Sequence, residues 1–321
     1  MSLLRDTFNY IIVYEAIRAA LLRIKIKKSM EKYPYLTRFS QSISIPSDDL
    51  VEAFEIESNF HDRIIKEQSK EERIKLYNEL YSTVHPIYQR NNSGNHNNGE
   101  VISRKAFLFR KELEGKSILE VGCGQGSFLK TILKSFPSKK LMGLDVSIPK
   151  PEILAQYPQI DFVAADITEF KLEEKFDVVY SNHVLEHMAT PDLHTHLASI
   201  RDALVSSGTL IINMPNRLFG PSDVTRIMDF SYTNKMEARG SHFNESTYSD
   251  LITLLKSYGF ENFKTVFPHT KARHLLKSFR MDPEILCKVE KSKGIMKFLH
   301  SLKFRGTCAA KFEISLICQK K

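Results

Sequence analysis

From residue 100 onward the sequence predicts an α/β fold, a mostly parallel sheet covered by helices on both faces. Two observations carry this. Short apolar runs at 117–121, 140–145, 160–164, 176–180 and 208–213 are each followed by a turn, and most by a helical pattern. Such alternation needs crossover helices on both sides of a parallel sheet. The second observation is the junction Ser117-Ile-Leu-Glu-Val-Gly-Cys-Gly-Gln-Gly-Ser-Phe128, in which an apolar run meets a turn with glycine at 122, 124 and 126. A helical pattern follows in Phe128, Leu129, Ile132, Leu133 and Phe136. Strand, glycine turn and helix in this order open a nucleotide-binding βαβ unit.

Residues 1–90, by contrast, read as helical with no strand-like alternation. In the first segment Leu4, Phe8, Ile11, Ile12, Ile17, Leu21 and Leu22 recur at helical spacing, and Lys25, Lys27 and Lys28 follow. An amphipathic helix over 8–28 suits a membrane interface or a protein contact. Its apolar-face tyrosines favour the protein contact. Pro46-Ser-Asp-Asp49 starts a charge-dense stretch to 82 that reads as a solvated helix pair. Asn91-Asn-Ser-Gly-Asn-His-Asn-Asn-Gly99 is a linker, so a helical region, 1–98, precedes a second domain, 99–321. After Pro215 the pattern loosens until Ser246 or Thr247 caps a helix carrying Leu251, Leu254 and Leu255 and closed by Gly259. Strand-like 262–267 and 312–318 follow, flanking a basic helical insertion at 270–305.

The turn also narrows its ligand. A dinucleotide fingerprint would place glycine at 127, where Ser127 stands, and Glu120 precedes the turn by two residues. A carboxylate there repels a pyrophosphate and suits an ammonium and a sulfonium, which points to S-adenosylmethionine and away from NAD. Composition sets wider bounds. The 321 residues carry a net charge of +8, with 14 Lys/Arg against 4 Asp/Glu in 262–321 and 8 against 3 in 1–40. These basic ends suit an acidic partner such as a phosphorylated metabolite, an anionic membrane surface or nucleic acid. Four unpaired-looking cysteines and no apolar run of membrane-spanning length predict a reduced, cytoplasmic protein, with peripheral membrane contact as the variant.

At this point the chain resembles the class I S-adenosylmethionine-dependent methyltransferases. The resemblance rests on Glu120-Val-Gly-Cys-Gly-Gln-Gly126, Gly143-Leu-Asp-Val146, Ala165-Asp-Ile167, Phe176-Asp-Val-Val-Tyr-Ser-Asn-His-Val-Leu-Glu-His187 and Gly208-Thr-Leu-Ile-Ile-Asn-Met-Pro-Asn216. It implies a Rossmann-like seven-stranded sheet with the last strand antiparallel. It also implies that Glu120, Gly122, Gly124 and Gly126 hold the methionine end and that Asp145, with Val146, holds the ribose hydroxyls. Asp166 and Ile167 would hold the adenine, and Asn182 and His183 would face the reacting methyl. The plainer alternatives are a surface aspartate at 145 and a helix cap at 166.

His183-Val-Leu-Glu-His187 also matches H-x-x-E-H, a zinc-peptidase pattern. That chemistry needs a long helix, and here a strand runs almost into His183, so no metal ligands are expected. His187 reads as a loop-fixing residue. A hydroxyl acceptor needs a base, and His242 leads, with His183 second. No [DN]-P-P-[YF] motif is present, and no Pro-Cys follows the fourth strand. Both absences count against nucleobase methylation. The aromatics Phe279, Phe298 and Phe304 read as buried helix positions, which counts against an RNA platform. The expected reaction is O-methylation of a sugar, glycan precursor or similar small metabolite, under a substrate cover at 217–245. A lipid or quinone methyltransferase, an RNA methyltransferase and a non-catalytic cofactor-binding protein are the alternatives.

Overall fold

The computed structural model describes residues 31–91, 98–268, 276–304 and 307–321. The 8–28 helix, most of the Asn/Gly-rich linker with His96, and parts of the 270–305 insertion lie outside these residues.

Seven strands form one sheet: β1 (Ser117–Val121), β2 (Lys140–Asp145), β3 (Ile160–Ala164), β4 (Phe176–Asn182), β5 (Leu204–Met214), β6 (Phe260–Thr265) and β7 (Ile314–Lys320). Their order is β3-β2-β1-β4-β5-β7-β6. β1 to β5 run parallel, and β7 is antiparallel to both its neighbours. This is the Rossmann-like arrangement expected. β1 lies centrally with Ile118, Leu119 and Val121 buried, which is why it reads as an apolar strand broken only by Glu120. The order turns back between β1 and β4, and open α/β sheets hold ligands at such a switch point.

Two strand bounds differ from the sequence reading in an instructive way. β5 begins at Leu204 and not 208, because Ser206-Ser207-Gly208 looks like a turn yet is carried within an irregular strand. Ser207 there takes φ 59°, and the β4–β5 register shifts between Phe176 and Val178. β4 runs on to Asn182, placing that side chain at the strand's carboxyl end.

Ahead of the linker the described residues form α1 (Leu36–Ile43), α2 (Ser47–Ile64) and α3 (Lys70–Asn91). The solvated pair expected over 49–82 is instead docked. Leu50, Ile64, Leu80 and Val84 share one buried cluster with Leu119, Val179 and Ile212 of the sheet. Arg73 on α3 is buried, and its guanidinium donates to Asp192 at 2.9 and 2.7 Å. Asp192 opens α7 (Thr190–Ala203), and Tyr77 adds a hydroxyl bond to the same carboxylate at 2.9 Å. On the sheet's other face, α4 (Asn98–Leu108) and α5 (Ser127–Ser135) cover a second cluster, in which the Phe128 and Tyr180 rings stack at 3.9 Å. The short α6 (Pro151–Gln156) lies between β2 and β3.

The helix expected after residue 246 is α8 (Tyr248–Ser257). Thr247 caps it by accepting the Asp250 N–H, and Gly259 follows at φ 75°. The described part of the basic insertion is helical in α9 (Glu284–Lys291) and α10 (Lys293–Ser301). One reading there is corrected: Phe279, Phe298 and Phe304 are exposed, at 48, 61 and 60%. Their supposed burial therefore gives no argument against nucleic acid. No described helix is long and apolar enough to cross a membrane.

Candidate active site

The three glycines of the turn have different duties. Gly122, Gly124 and Gly126 all adopt positive φ, at 73°, 51° and 68°. A Cβ on Gly122 would stand 2.4 Å from Val184 Cγ2, and one on Gly126 would stand 2.5 Å from the Phe162 ring. Only at Gly124 would it meet open space. Two glycines thus let protein side chains close on the turn, and the third leaves bare backbone toward a ligand.

Glu120 lies directly beneath. It is buried, and its Oε2 has no hydrogen-bond partner among the described residues. Burial, with the Asp145 charge beside it, holds this carboxyl well above the usual range, against a bond from the Leu129 backbone. An orphaned buried carboxylate is costly unless a donor or cation meets it.

The strand-end residues gather around the turn. Asp145 ends β2 and accepts the Gly124 N–H through Oδ2 at 2.8 Å, so its carboxylate lies against the turn itself. Val146 beside it is 60% exposed, an apolar side chain at the mouth of the switch point. Asp166 accepts both the N–H and the hydroxyl of Thr168 through Oδ1, each at 2.8 Å. That Asx-type turn replaces the helix cap considered for this residue, since no helix starts here. Ile167 is partly buried, and its carbonyl accepts from His196 Nδ1. Asn182 Oδ1 accepts from Lys105 Nζ at 2.7 Å, a contact made by α4.

Past β4 the chain bends at His183, a non-glycine residue at φ 56°, and enters a single helical turn, Leu185–His187. His183 Nδ1 lies 2.8 Å from Glu186 Oε1. His187 Nδ1 bonds the Ser241 carbonyl at 3.0 Å, the loop-fixing contact expected of it. His242 comes over from the cover, its Nδ1 2.8 Å from Glu245 Oε1 and its ring 4.7 Å from that of His187. Burial pulls the His242 imidazole down, but the Glu245 bond and the Asp223 and Glu186 charges win and raise it to about 9. Burial pushes Glu186 up, yet the His183 bond and the neighbouring histidine charges bring it to about 2. Burial and the His242 charge push His187 down to about 4. At neutral pH, then, His242 holds its proton. It would have to lose it before acting as a base.

The profile of the methyltransferase-domain family matches residues 94–265, more than half of the chain. The chain belongs to that family, the class I S-adenosylmethionine-dependent methyltransferases. It is 32% identical over 111 residues to a trans-aconitate 2-methyltransferase of Enterobacter sp. (strain 638), covering 33% of this chain and 42% of that one. It is 36% identical over 91 residues to malonyl-[acyl-carrier protein] O-methyltransferase 1 of Ilyobacter polytropus, covering 27% and 34%. The chain thus spans less than half the length of either relative. Among solved structures, the Burkholderia thailandensis 1,6-didemethyltoxoflavin-N1-methyltransferase with bound S-adenosylhomocysteine is similar at 16% identity and TM-score 0.47, covering 78% of this chain and 89% of that one.

The residues at the switch point fit the family's cofactor. S-adenosylmethionine carries an ammonium that would answer Glu120 Oε2, and the open side of Gly124 leaves room for it to lie on backbone. What the sequence reading missed is how the cover is held. Glu57 of α2, buried, accepts the Ser241 N–H at 2.7 Å and the Tyr88 hydroxyl at 2.6 Å. Burial and the Asp223 charge raise it to about 7. Asp223 accepts the Gly240 N–H at 2.7 Å, His61 Nδ1 bonds the Gly240 carbonyl at 2.9 Å, and Arg239 pairs with Asp62. The Glu186 carbonyl accepts the Phe243 and Asn244 N–H groups. Segment 239–244 is thus tied on one side to α2 and on the other to the turn after β4.

Proposed function

We propose that this chain methylates an oxygen of a small metabolite, a sugar or glycan precursor or a similar polar acceptor. The observation that carries the reading is the buried Glu120 carboxyl, whose Oε2 has no partner among the described residues, beside the glycine turn with its open position at 124. Bound S-adenosylmethionine supplies an electrophilic methyl on a sulfonium. The chain's own part is to hold and to align, since in-line displacement depends on placing the acceptor within about 3 Å of the methyl. In this reading Glu120, Gly122, Gly124 and Gly126 hold the methionine end and Asp145 with Val146 the ribose. Asp166 and Ile167 hold the adenine. Residues 217–245 and the N-terminal helices shape the acceptor pocket, with Asn182 and His183 facing the methyl. His183, half-exposed at the end of β4 and bonded to Glu186, is placed to take a hydroxyl proton. His242 holds its proton in this arrangement and must lose it before taking another, so it is the less available of the two.

A carboxylate acceptor is the second reading, favoured by the names of the two curated relatives. The basic ends of the chain suit an anionic acceptor or surface in either case. Radiolabelled S-adenosylmethionine incubated with the chain and fractionated extract tests both. Label stable to mild base in a small polar fraction supports an ether on a hydroxyl acceptor, and base-labile label supports an ester. Label in RNA, lipid or protein alone, or none, contradicts the proposal.

A further inference from the structure

We propose that Glu186, His187 and His242 form a binding site for one divalent first-row transition-metal ion. Each of these residues offers one ligand atom, and the three atoms lie within 4.8 Å of one another. The zinc-peptidase reading of His183-Val-Leu-Glu-His187 failed because no long helix carries both histidines. The fold supplies a different partner, His242, from a segment far along the chain. The ligands come from two elements, the turn after β4 and the cover, so the site exists only while the cover is docked.

Three further features distinguish it from an ordinary histidine network. Each ring nitrogen Nδ1 is already engaged, by the Ser241 carbonyl for His187 and by Glu245 for His242. A metal-bound imidazole needs that arrangement, since an acceptor holds the Nδ1 proton and the ion displaces any proton on Nε2 to take its lone pair. The rings stand nearly perpendicular, at 86°, with centroids 4.7 Å apart, so both imidazoles lie within reach of one ion. Glu186 is fully buried, and while its Oε1 meets His183, its Oε2 has no partner among the described residues. Hydrogen bonding inside the cluster leaves that oxygen unexplained, and a cation would answer it. Glu245 and Asp223 add negative charge around the site, which favours a dication.

Two imidazoles and one carboxylate are the donors that suit first-row transition ions and leave coordination positions open. The site also stands close to the cofactor turn, since Val184, two residues before Glu186, fills the space over Gly122. An ion with open positions there can bind an acceptor hydroxyl and ease loss of its proton, as it does for bound water. That last role rests on the O-methylation reading; capture of the ion does not.

The test is equilibrium dialysis of the chelator-stripped full chain against Mn2+ and, separately, Zn2+, with bound metal measured by elemental analysis. The expected result is one ion per chain. Glu186→Gln, His187→Ala and His242→Ala are each expected to weaken it at least tenfold, while S-adenosylhomocysteine affinity by calorimetry stays within twofold. Failure of the unsubstituted chain to retain either ion at near-equal stoichiometry overturns the proposal whether or not the variants fold. Undiminished retention in a folded His187→Ala/His242→Ala double variant overturns it as well. Because the ion is counted without turnover, this outcome is separate from the fate of the acceptor reading.

Discussion

At the scale of single residues, the glycine turn divides into positions that serve packing and one that serves a ligand. Gly122→Ala adds a methyl 2.4 Å from Val184 Cγ2 at φ 73°, so overpacking and left-handed strain both apply. Together they are expected to cost about 3 kcal/mol. Gly124→Ala carries only the backbone term, about 1 kcal/mol, because its Cβ meets nothing within 4 Å. Urea denaturation of the two variants should show that ordering, and equal losses would contradict it. His196 gives a second prediction at this scale. Burial pushes its imidazole from 6.5 down to about 4, against the bond to the Ile167 carbonyl. Between those values the unfolded chain binds more protons than the folded one, so stability present above pH 6.5 is lost as pH falls towards 4. The loss is about 3 kcal/mol by linkage. His196→Asn keeps a donor for Ile167 and does not titrate, so its stability profile over that range should be flatter than that of the unsubstituted chain.

At the scale of elements, the sheet was more legible than the helices before it. β1 and β2 coincide with the runs read at 117–121 and 140–145, because central strands covered on both faces bury nearly every residue and so carry a dense apolar signal. The sequence reading starts β5 at 208 because Ser206-Ser207-Gly208 has the composition of a turn, and continuous pairing with β4 and β7 begins only at Thr209. α2 and α3 were read as solvated because charge is dense along them. Their buried charges find partners far away in sequence: Arg73 meets Asp192 119 positions on, and Glu57 meets Ser241 184 positions on. No local pattern encodes such a pairing. Arg73→Ala leaves Asp192 buried and short of its guanidinium, and removal of one partner of a buried pair costs about 3–5 kcal/mol. Thermal unfolding should show that loss as a single lowered transition. An unchanged midpoint would mean that α3 is not integral to the fold.

At the scale of the whole molecule, the N-terminal helices and the sheet share one core, and the cover spans the two. The residues that gather at the switch point are legible because they stand in local segments at or near the strand ends. The cluster beside them is not, since it is assembled from α2, the turn after β4 and residues 239–245, whose contacts appear only on folding. His242 stands out by its place in the irregular stretch after β5, whereas its approach to Glu186, His187 and Glu245 is written in no local pattern. The functional reading therefore stands or falls with the switch point. Calorimetry of the purified chain and of Glu120→Gln with S-adenosylhomocysteine and with NAD tests it most directly. The account predicts one-to-one binding of S-adenosylhomocysteine, a loss of at least about tenfold (about 1.4 kcal/mol) in Glu120→Gln, and no heat with NAD. No heat with S-adenosylhomocysteine, a clear signal with NAD, or undiminished affinity in Glu120→Gln would contradict it.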